Sequence, residues 1–336
     1  MKSKNEIQKT YISSPSRTAE ILKHFNISLR KTYGQNFLID TNVLKKIATF
    51  ANLKDDDVVL EIGPGIGSLT EIMLPRVKKI ICIEVDRSIA EAFEEIFKEE
   101  LGKKIIFLND DAMKIDYEDF CRIYEINKCV SNLPYKIAAP LILKILSETD
   151  KITDFYVTIQ KDIAERILAK PGDKNYNAFT VKLNFYSKYV RSFSISRNCF
   201  YPKPFVGSTT VNLKRNLRFL PDSILYKINP DMVKNVVENE NFHTDFVLEF
   251  FNFVEVCFYH RRKKLINSLN LGGQFYKKNE QKIVSILEEM GFNKDTRPEE
   301  LSLENYIFLF ISLSPNYSSL FRAFRAAEAK DSGLPV

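Results

Sequence analysis

The fold class of this chain follows from one stretch, Asp57-Val58-Val59-Leu60-Glu61-Ile62-Gly63-Pro64-Gly65-Ile66-Gly67. Its apolar first half predicts a buried strand at residues 57–62, and a helix is predicted at residues 68–74. The glycines between them let a ligand approach the backbone closely. Strand, glycine turn and helix together open a nucleotide-binding βαβ unit. The spacing is G-x-G-x-G rather than G-x-G-x-x-G, so the loop alone is weak evidence.

Acidic residues close the next two predicted strands. Glu84 lies 17 residues after Gly67, at the end of the strand at residues 79–85. An acid there accepts hydrogen bonds from ribose hydroxyls, and the alternative reading, a helix N-cap, fits Asp86 better. Asp111 follows the strand at residues 104–108 and can bond the exocyclic amine of an adenine, unless it belongs to a solvated turn. Open α/β sheets bind ligands at this edge, so the signals reinforce each other.

The fourth strand leads into Asn132-Leu133-Pro134-Tyr135. Pro134 lacks a backbone donor and keeps Leu133 out of the helical region, so the chain stays extended for one more step. The Asn132 amide and the carbonyls of Leu133 and Pro134 can then face a ligand, beside the flat ring of Tyr135. These groups suit a base with an exocyclic amine, because carbonyls accept its N–H protons and the ring stacks on its face. A plain strand-to-helix turn is the alternative.

Further strands are predicted at residues 153–160, 179–186 and 208–213, with a helix at residues 161–168. Between the last two strands lies Phe200-Tyr201-Pro202-Lys203-Pro204. Alternate prolines make this segment stiff and extended, so it can hold Phe200 rigidly. An ordinary proline-rich linker remains the alternative.

Composition limits the class of protein. The chain has 336 residues, 45 % of them hydrophobic and 27 % charged, which predicts about two folded domains. It contains no apolar run of 18 residues, and its first 20 residues do not resemble a signal peptide. Five cysteines without a C-x-x-C pair and only three histidines predict a cytoplasmic, reduced protein without a metal site. The net charge of +6 permits a polyanionic partner but does not require one.

The chain changes character after residue 217. Helices are predicted at residues 231–238, 244–258, 282–290 and 301–313. The densest basic run is Arg261-Arg262-Lys263-Lys264, which suits RNA phosphates or, alternatively, a solvated helix face. We therefore predict an N-terminal extension (1–28), an α/β domain (29–216), an α-helical RNA-binding domain (217–315) and a flexible tail (316–336).

These motifs resemble the ribosomal RNA small subunit methyltransferase A (KsgA) family of adenine N6-dimethyltransferases. The similarity extends from about residue 18 to residue 313. Its most specific part is Asn132-Leu133-Pro134-Tyr135 together with the glycine turn. The other matching segments are Gly34-Gln35-Asn36-Phe37-Leu38, Glu61-Ile62-Gly63-Pro64-Gly65, Glu84-Val85-Asp86, Asp111-Ala112-Met113, Phe200-Tyr201-Pro202-Lys203-Pro204, Arg261-Arg262-Lys263-Lys264-Leu265-Ile266-Asn267-Ser268-Leu269 and Arg297-Pro298-Glu299-Glu300-Leu301-Ser302. Ser131 departs from the family, in which glycine is common at that position.

The resemblance implies a Rossmann-like methyltransferase domain with S-adenosyl-L-methionine as cofactor and a smaller C-terminal α-helical domain. It implies dimethylation at N6 of two adjacent adenosines in the 3′-terminal hairpin loop of small-subunit (16S) rRNA, late in ribosome biogenesis. The partner would be that rRNA or the pre-assembled small subunit. The resemblance also implies a protein that does not bind a membrane and that is a monomer. The cofactor residues implied are Asn36, Leu38, Gly63, Glu84, Asp111 and Asn132, and the catalytic residues are Asn132, Leu133, Pro134, Tyr135 and Phe200.

Three other functions fit parts of the sequence. A large-subunit rRNA methyltransferase of the erythromycin-resistance type shares the catalytic motifs but has a different, shorter helical domain. A non-catalytic ribosome-assembly factor would not need an intact methyl-donor pocket. A nicotinamide oxidoreductase would use the glycine turn and Glu84, but it has no use for the segment from Asn132 to Tyr135.

Overall fold

A computed structural model of the chain describes residues 11–27, 36–216, 240–260 and 262–314. By its internal contacts the chain divides into two compact units. The first contains the described residues up to Ala164 together with Ser187–Arg215, and the second contains Glu165–Tyr186 together with the described residues from Asn216 onward. The predicted boundaries after residues 28, 216 and 315 fall within or beside ranges outside the described residues, and they stay predictions.

The first unit is built on a seven-stranded sheet. Nine strands are described in this unit: β1 (Phe37–Leu38), β2 (Val58–Ile62), β3 (Lys79–Glu84), β4 (Ile105–Asn109), β5 (Lys128–Asn132), β6 (Asp154–Gln160), β7 (Ser187–Ile195), β8 (Phe200–Tyr201) and β9 (Ser208–Arg215). The order in the large sheet is β4-β3-β2-β5-β6-β9-β7, and β1 pairs separately with β8. Strands β2 to β6 are parallel, whereas β9 is antiparallel to both of its neighbours. This confirms the predicted α/β class.

The helices α1 (Pro15–His24) and α2 (Thr41–Phe50) precede the first parallel strand, β2. The parallel strands are connected by α3 (Ser68–Met73), α4 (Arg87–Ile96), α5 (Tyr117–Tyr124) and α6 (Ala138–Glu148), as parallel pairing requires. After β6 comes α7 (Lys161–Leu168), within which the division between the units falls. Asp40, Asp86 and Asp116 cap α2, α4 and α5 by accepting hydrogen bonds from first-turn backbone N–H groups. These bonds satisfy donors that a helix leaves unpaired, so the caps fix where each helix starts.

A buried ion pair fixes the start of the two central strands. Lys128 Nζ lies 2.5 Å from Asp57 Oδ2, and both side chains are at least 90 % buried. Asp57 also accepts hydrogen bonds from the backbone N–H of Lys54 and from the Asn127 side chain. A buried charge is tolerated only when it is paired in this way, so the cluster joins β2 to β5 at the edge opposite their carboxyl ends.

The second unit is helical in the part of the chain that the structure describes. Its helices after α7 are α8 (Ala178–Tyr186), α9 (Glu240–Cys257), α10 (Leu265–Leu271), α11 (Gln274–Lys278), α12 (Glu280–Glu289) and α13 (Leu303–Leu313). Aromatic rings from three helices form its core: Phe250 lies 5.8 Å from Phe185 and 5.6 Å from Phe310, between ring centroids. The helix predicted at residues 231–238 lies outside the described residues.

The strand predicted at residues 179–186 is wrong, because this segment forms α8. Alternating Phe179, Val181, Leu183 and Phe185 suggested a strand, but the helix buries residues on most of its circumference, and such a helix has no polar face to reveal its period. A reciprocal pair starts it: the Asn177 side chain accepts from Thr180 N at 3.3 Å, and Thr180 Oγ1 accepts from Asn177 N at 3.3 Å. The missed strand, β7, follows directly.

No helix within the described ranges has both the length and the apolar character needed to cross a membrane.

Candidate active site

The site begins where two neighbouring strands separate. Strand order reverses between β2 and β5, and backbone pairing between them is confined to Val59–Lys128 and Leu60–Cys129. Beyond that point the Ser131 hydroxyl accepts a hydrogen bond from Ile62 N at 2.9 Å, in place of a backbone carbonyl. Such a switch point is where open α/β sheets form a ligand crevice. The Ser131 hydroxyl therefore bridges the gap between the two strands below the crevice.

The crevice is a cavity of about 280 Å³ at the carboxyl ends of these strands. Its lining residues come from β1 and the residue before it, the glycine turn, the ends of β3 and β5, the segments that follow β4 and β5, and the helices α2, α3 and α4: Asn36, Phe37, Leu38, Leu44, Gly63, Pro64, Gly65, Ser68, Leu69, Glu84, Val85, Ile89, Asp111, Asn132, Leu133, Pro134, Tyr135, Lys136 and Ile137. All predicted cofactor residues, and the four residues of the Asn132–Tyr135 segment, are brought together here.

The glycine turn lines the cavity, and Gly63 and Gly65 must be glycine because no side chain fits there. Gly63 and Gly65 have φ values of +67° and +60°, which disfavour residues with a Cβ. A Cβ at Gly65 would lie 2.7 Å from Phe37 Cε1, and one at Gly63 would lie 3.1 Å from Pro134 Cγ. The two glycines thus allow β1 and the Asn132–Tyr135 segment to pack against the turn, which closes the cavity from two sides.

Glu84 is held at the cavity wall by backbone donors. Its carboxylate accepts hydrogen bonds from Asp86 N at 3.0 Å and from Gly65 N at 3.3 Å. Burial raises the pKa of Glu84, while the hydrogen bonds from Asp86 and Gly65 oppose that shift. Asp86 itself caps α4, as the sequence indicated. A fixed carboxylate at the end of the second strand is placed to accept two neighbouring hydroxyls.

Asp111 and Asn36 line other parts of the cavity. Asp111 Oδ1 accepts a hydrogen bond from Met113 N at 2.9 Å, which orients the carboxylate in its turn. The backbone carbonyl of Asn36 accepts from Asn132 Nδ2 at 3.3 Å, so the strand β1 side of the cavity is tied to the end of β5. Leu38 adds an apolar surface on the same side.

Two buried polar atoms in this cavity have no partner in the protein. Asn132 donates through Nδ2, but its Oδ1 is buried without any hydrogen bond, and the same is true of Ser68 Oγ at the start of α3. An unsatisfied buried polar group costs about 1–3 kcal/mol, so such an atom is normally satisfied by a group from outside the protein, a ligand or a water molecule. The sequence predicted a role in the site for Asn132 but none for Ser68. Ser68 directly follows the last glycine of the turn, and that position was the signal that could have indicated it.

The rest of the tetrapeptide is held from outside the cavity. The Tyr135 hydroxyl and Ser208 Oγ are hydrogen-bonded at 2.6 Å, which fixes the ring at the cavity wall. Burial raises the pKa of the Tyr135 phenol, so the group stays neutral. The Pro134 carbonyl accepts from Ile137 N at 3.2 Å and retains one lone pair. Ser208 was not singled out from the sequence.

Phe200 is placed differently from the other predicted catalytic residues. Its side chain is only 2 % exposed and belongs to the hydrophobic core that also contains Phe37 and Leu38. It lies opposite Leu38 in the β1–β8 pair, and Leu38 is among the residues that line the cavity whereas Phe200 is not. A stacking role for Phe200 therefore stays a prediction.

The predicted basic run is only partly described. Arg261 lies outside the described residues, and Arg262 and Lys263 are exposed. Lys264 forms an ion pair with Asp295, which lowers the pKa of that carboxyl. Its charge is thus partly neutralised within the protein, and Arg262 and Lys263 are the more available cations for phosphate.

Comparison with known proteins identifies the family. The family model for ribosomal RNA adenine dimethylase matches residues 25–308. The chain belongs to the ribosomal RNA adenine dimethylase family. Its curated relatives include a protein named ribosomal RNA small subunit methyltransferase A from Natranaerobius thermophilus, 33 % identical over 316 residues, covering 88 % of this chain and 95 % of the relative. A protein of the same name from Geobacillus sp. is 34 % identical and covers 89 % of this chain and 96 % of itself.

Solved structures place the dimethylase in the same fold. A dimethyladenosine transferase from Plasmodium falciparum superimposes with a TM-score of 0.60 at 25 % identity, covering 84 % of this chain and 97 % of that one. The 23S rRNA methyltransferase ErmE superimposes with a TM-score of 0.55 at 21 % identity, covering 82 % and 99 %. The second likeness concerns the fold alone. The predicted Rossmann-like methyltransferase fold and the predicted enzyme class are confirmed.

Proposed function

We propose that this dimethylase transfers methyl groups from S-adenosyl-L-methionine to N6 of two adjacent adenosines in the 3′-terminal hairpin loop of small-subunit (16S) rRNA, as a step of small-subunit biogenesis. The observation that carries the proposal is the buried, unpaired Oδ1 of Asn132 in the cavity that also contains Glu84. The names of the relatives support the small-subunit substrate over the large-subunit alternative.

The cavity fits the cofactor through residues at four successive strand ends. Glu84 would accept hydrogen bonds from the two ribose hydroxyls, and Asp111 one from the exocyclic amine of the cofactor's adenine. Gly63 and Gly65 leave room for the amino-acid end, and Asn36 and Leu38 close the pocket from β1. The cofactor would supply an electrophilic methyl group on a sulfonium sulfur.

Asn132 would prepare the target amine for attack. The lone pair of an adenine amine is delocalised into the ring, so the nitrogen is a poor nucleophile. Asn132 Oδ1 and the carbonyl of Leu133 or Pro134 would accept hydrogen bonds from its two N–H groups. These bonds would favour a tetrahedral nitrogen whose lone pair faces the methyl group. Such alignment is worth up to ~7–11 kcal/mol of a barrier. No base is needed before transfer, because the amine becomes acidic only after it is methylated.

Aromatic stacking would hold the target base. Tyr135 would cover one face of the adenine, with its ring fixed by Ser208, and Phe200 would support the other after a shift from its buried position. The target must leave its stack to enter, which costs less in a hairpin loop than in a duplex. The basic run from Arg261 to Lys264 would contact phosphates elsewhere on the RNA.

One experiment tests substrate and reaction together. Purified small and large subunits from a strain that lacks this methylation are incubated with the protein and the methyl donor, and methylated adenosines are mapped by mass spectrometry. We expect two dimethylated adenosines in the small-subunit rRNA and none in the large-subunit rRNA. Methylation of the large subunit alone would contradict the proposal.

The variant Asn132→Ala tests the mechanism. Loss of Oδ1 removes the acceptor that orients the amine, so we expect methyl incorporation to fall by about 10²-fold or more, while the affinity for the methyl donor changes less. The control is Asn42→Ala, at an exposed position of α2, which should keep the wild-type rate. Wild-type turnover by Asn132→Ala would remove Asn132 from this role.

A further inference from the structure

The connection between β7 and β9, residues 196–207, leaves and re-enters the sheet at the rim of the active site. Ser208, the first residue of β9, pairs with Ile195 of β7 and with Gln160, the last residue of β6. Strand β6 is parallel to β5, whose last residue, Asn132, lines the cavity. The connection therefore lies at the same edge of the sheet as the cavity.

Both halves of this connection are attached to the cavity wall. Within it, Phe200–Tyr201 pairs with Phe37–Leu38, and both residues of the latter strand line the cavity. At its end Ser208 is hydrogen-bonded to Tyr135, and Gly207 O accepts from Lys161 N at 3.0 Å. The segment between these anchors, residues 201–206, is thus tied at both ends to residues that line the cavity. We call it the rim segment.

The rim segment exposes apolar side chains, above all Phe205. Phe205 is 96 % exposed, and Tyr201 and Val206 are 49 % and 40 % exposed. Exposed apolar side chains grouped in one short segment are a candidate interaction surface. The segment is also held in shape, because Pro202 and Pro204 restrict its backbone and Arg197 Nη1 donates to Phe205 O at 3.2 Å. The phenyl ring is thus presented on a stiff support.

The charge around the rim segment favours an anionic partner. The connection itself, residues 196–207, contains two cations, Arg197 and Lys203, and no aspartate or glutamate. Both cations are exposed, and Lys136, next to Tyr135, is exposed at the cavity. Exposed aromatic rings interleaved with cations are the pattern by which proteins bind single-stranded nucleic acid, through stacking and phosphate contact.

We propose that Phe205 stacks on the base next to the target adenosine while Arg197, Lys203 and Lys136 contact the flanking phosphates. The rim segment is thus a second contact for single-stranded RNA, separate from the pocket that holds the reacting base. It selects an unpaired loop over a duplex, because a duplex has no free base face to offer. This inference rests on the proposed function, since it supposes that an adenosine enters the cavity.

The test compares Phe205→Ala with Phe205→Tyr, which keeps a stacking ring. With small subunits as substrate, we expect Phe205→Ala to raise the KM for RNA about tenfold, and Phe205→Tyr to remain within about twofold of wild type. The dissociation constant for the methyl donor should not change. Ile123→Ala, which removes another exposed apolar side chain (64 % exposed) on α5, is the matched control and should leave the KM unaltered.

A second readout reports stacking directly. A hairpin-loop oligoribonucleotide carries the fluorescent base 2-aminopurine one nucleotide from the target adenosine. We expect the wild type and Phe205→Tyr to quench its fluorescence on binding, and Phe205→Ala to quench it much less. Because Phe205 is almost fully exposed, the Tm of all variants should match that of the wild type.

The outcomes separate this inference from the proposed function. If the wild type transfers no methyl group to small subunits, the proposed function fails, while the quenching assay still decides whether Phe205 stacks on RNA. A wild-type KM and wild-type quenching in Phe205→Ala overturn the inference alone. The inference is also overturned if Phe205→Ala leaves RNA binding intact but abolishes self-association in light scattering, which would assign the rim segment to a protein contact.

Discussion

At the scale of single residues, this site combines atoms that the fold satisfies with atoms that it leaves for a ligand. Glu84 is largely committed, because two backbone N–H groups hold its carboxylate. The Asn132 amide is satisfied only in part, because its Nδ2 donates a hydrogen bond within the protein and its Oδ1 accepts none. The hydrogen bond from Nδ2 fixes the orientation of the amide, so Oδ1 is preorganised to bind a ligand.

Glu84→Gln tests the ribose contact. The change keeps the size of the side chain but removes a charged acceptor, and hydrogen bonds to charged groups are worth about 1.5–3 kcal/mol. We expect the dissociation constant for the methyl donor, measured by titration calorimetry, to rise about 10- to 100-fold. Glu91→Gln, at an exposed position of α4, is the control and should bind like the wild type.

The pKa of Glu84 adds a pH dependence to that measurement. Burial raises this pKa above its usual value, so some of the carboxyl is protonated in mildly acidic solution. The ionised form is the one that accepts two hydroxyls, and wild-type affinity should therefore increase as the pH rises through this raised pKa. Glu84→Gln cannot titrate there, so its affinity should be flat. Parallel pH profiles for the two proteins would argue against a ribose contact by Glu84.

At the scale of elements, the sequence predicted those whose pattern is local. The strand–glycine–helix unit of β2 and α3 is readable because Gly63, Gly65 and Gly67 occupy positions where the backbone adopts positive φ. In contrast, α8 was not predictable from alternation, since tertiary burial on most sides hides its period. Likewise the hydrogen bond between Ser208 and Tyr135 joins residues 73 positions apart, and only the antiparallel placement of β9 brings them together.

The site shows the same division between local and long-range information. Each strand end could be assigned a role from its own residues, and the parallel topology then gathered Gly63, Glu84, Asp111 and Asn132 at one cavity. The sequence did not show which of the predicted side chains line the cavity and which are buried in the hydrophobic core. Phe200 and Leu38 pair with each other and belong to the same hydrophobic core, but only Leu38 lines the cavity, and nothing in the order of residues distinguishes the two positions.

A buried carboxyl links β2 to α3 and makes stability depend on pH. Glu61 is 1 % exposed and accepts a hydrogen bond from Thr70 Oγ1 at 2.7 Å. Burial raises the pKa of Glu61 to about 8, against the effect of Thr70 and with a smaller contribution from the charge of Glu84. The folded protein thus keeps a proton that the unfolded chain releases near its ordinary pKa of 4.5.

Glu61→Gln should remove this pH dependence. The native state binds more protons than the unfolded chain between pH 4.5 and about 8, so the stability contributed by Glu61 is present at low pH and is lost as the pH rises. At ~1.4 kcal/mol per pH unit, the free energy of unfolding in urea should fall by about 2–3 kcal/mol more in the wild type than in Glu61→Gln between pH 5.5 and 7.5. Glu94→Gln, exposed on α4, should behave as the wild type does. An identical pH dependence in all three proteins would mean that Glu61 is ionised in the fold.

At the scale of the whole molecule, charge determines how the protein meets its RNA. The chain carries 49 lysines and arginines against 43 aspartates and glutamates, a modest net charge of +6. Several of the described cations form ion pairs with neighbouring carboxylates, as Lys264 does with Asp295 and Lys128 with Asp57. Binding to phosphate must therefore depend on where unneutralised cations stand rather than on the total charge.

The salt dependence of RNA affinity distinguishes binding by locally placed cations from binding by the total charge. Each phosphate contact adds about 0.7–0.9 to the slope of log affinity against log salt, so replacing Arg262 and Lys263 by alanine should reduce that slope by about 1–2 if both contact RNA. The double variant Lys98→Ala, Lys103→Ala removes the same net charge from exposed positions of the first unit, and it should leave the slope unchanged because it removes no contact. Filter binding of small-subunit rRNA between 50 and 300 mM salt, roughly the range over which such contacts are resolved, gives both slopes. Equal slopes for the two double variants would show that Arg262 and Lys263, which lie between α9 and α10 rather than on a helix, are solvated and make no phosphate contact, since then only the field of the whole molecule would act on the RNA.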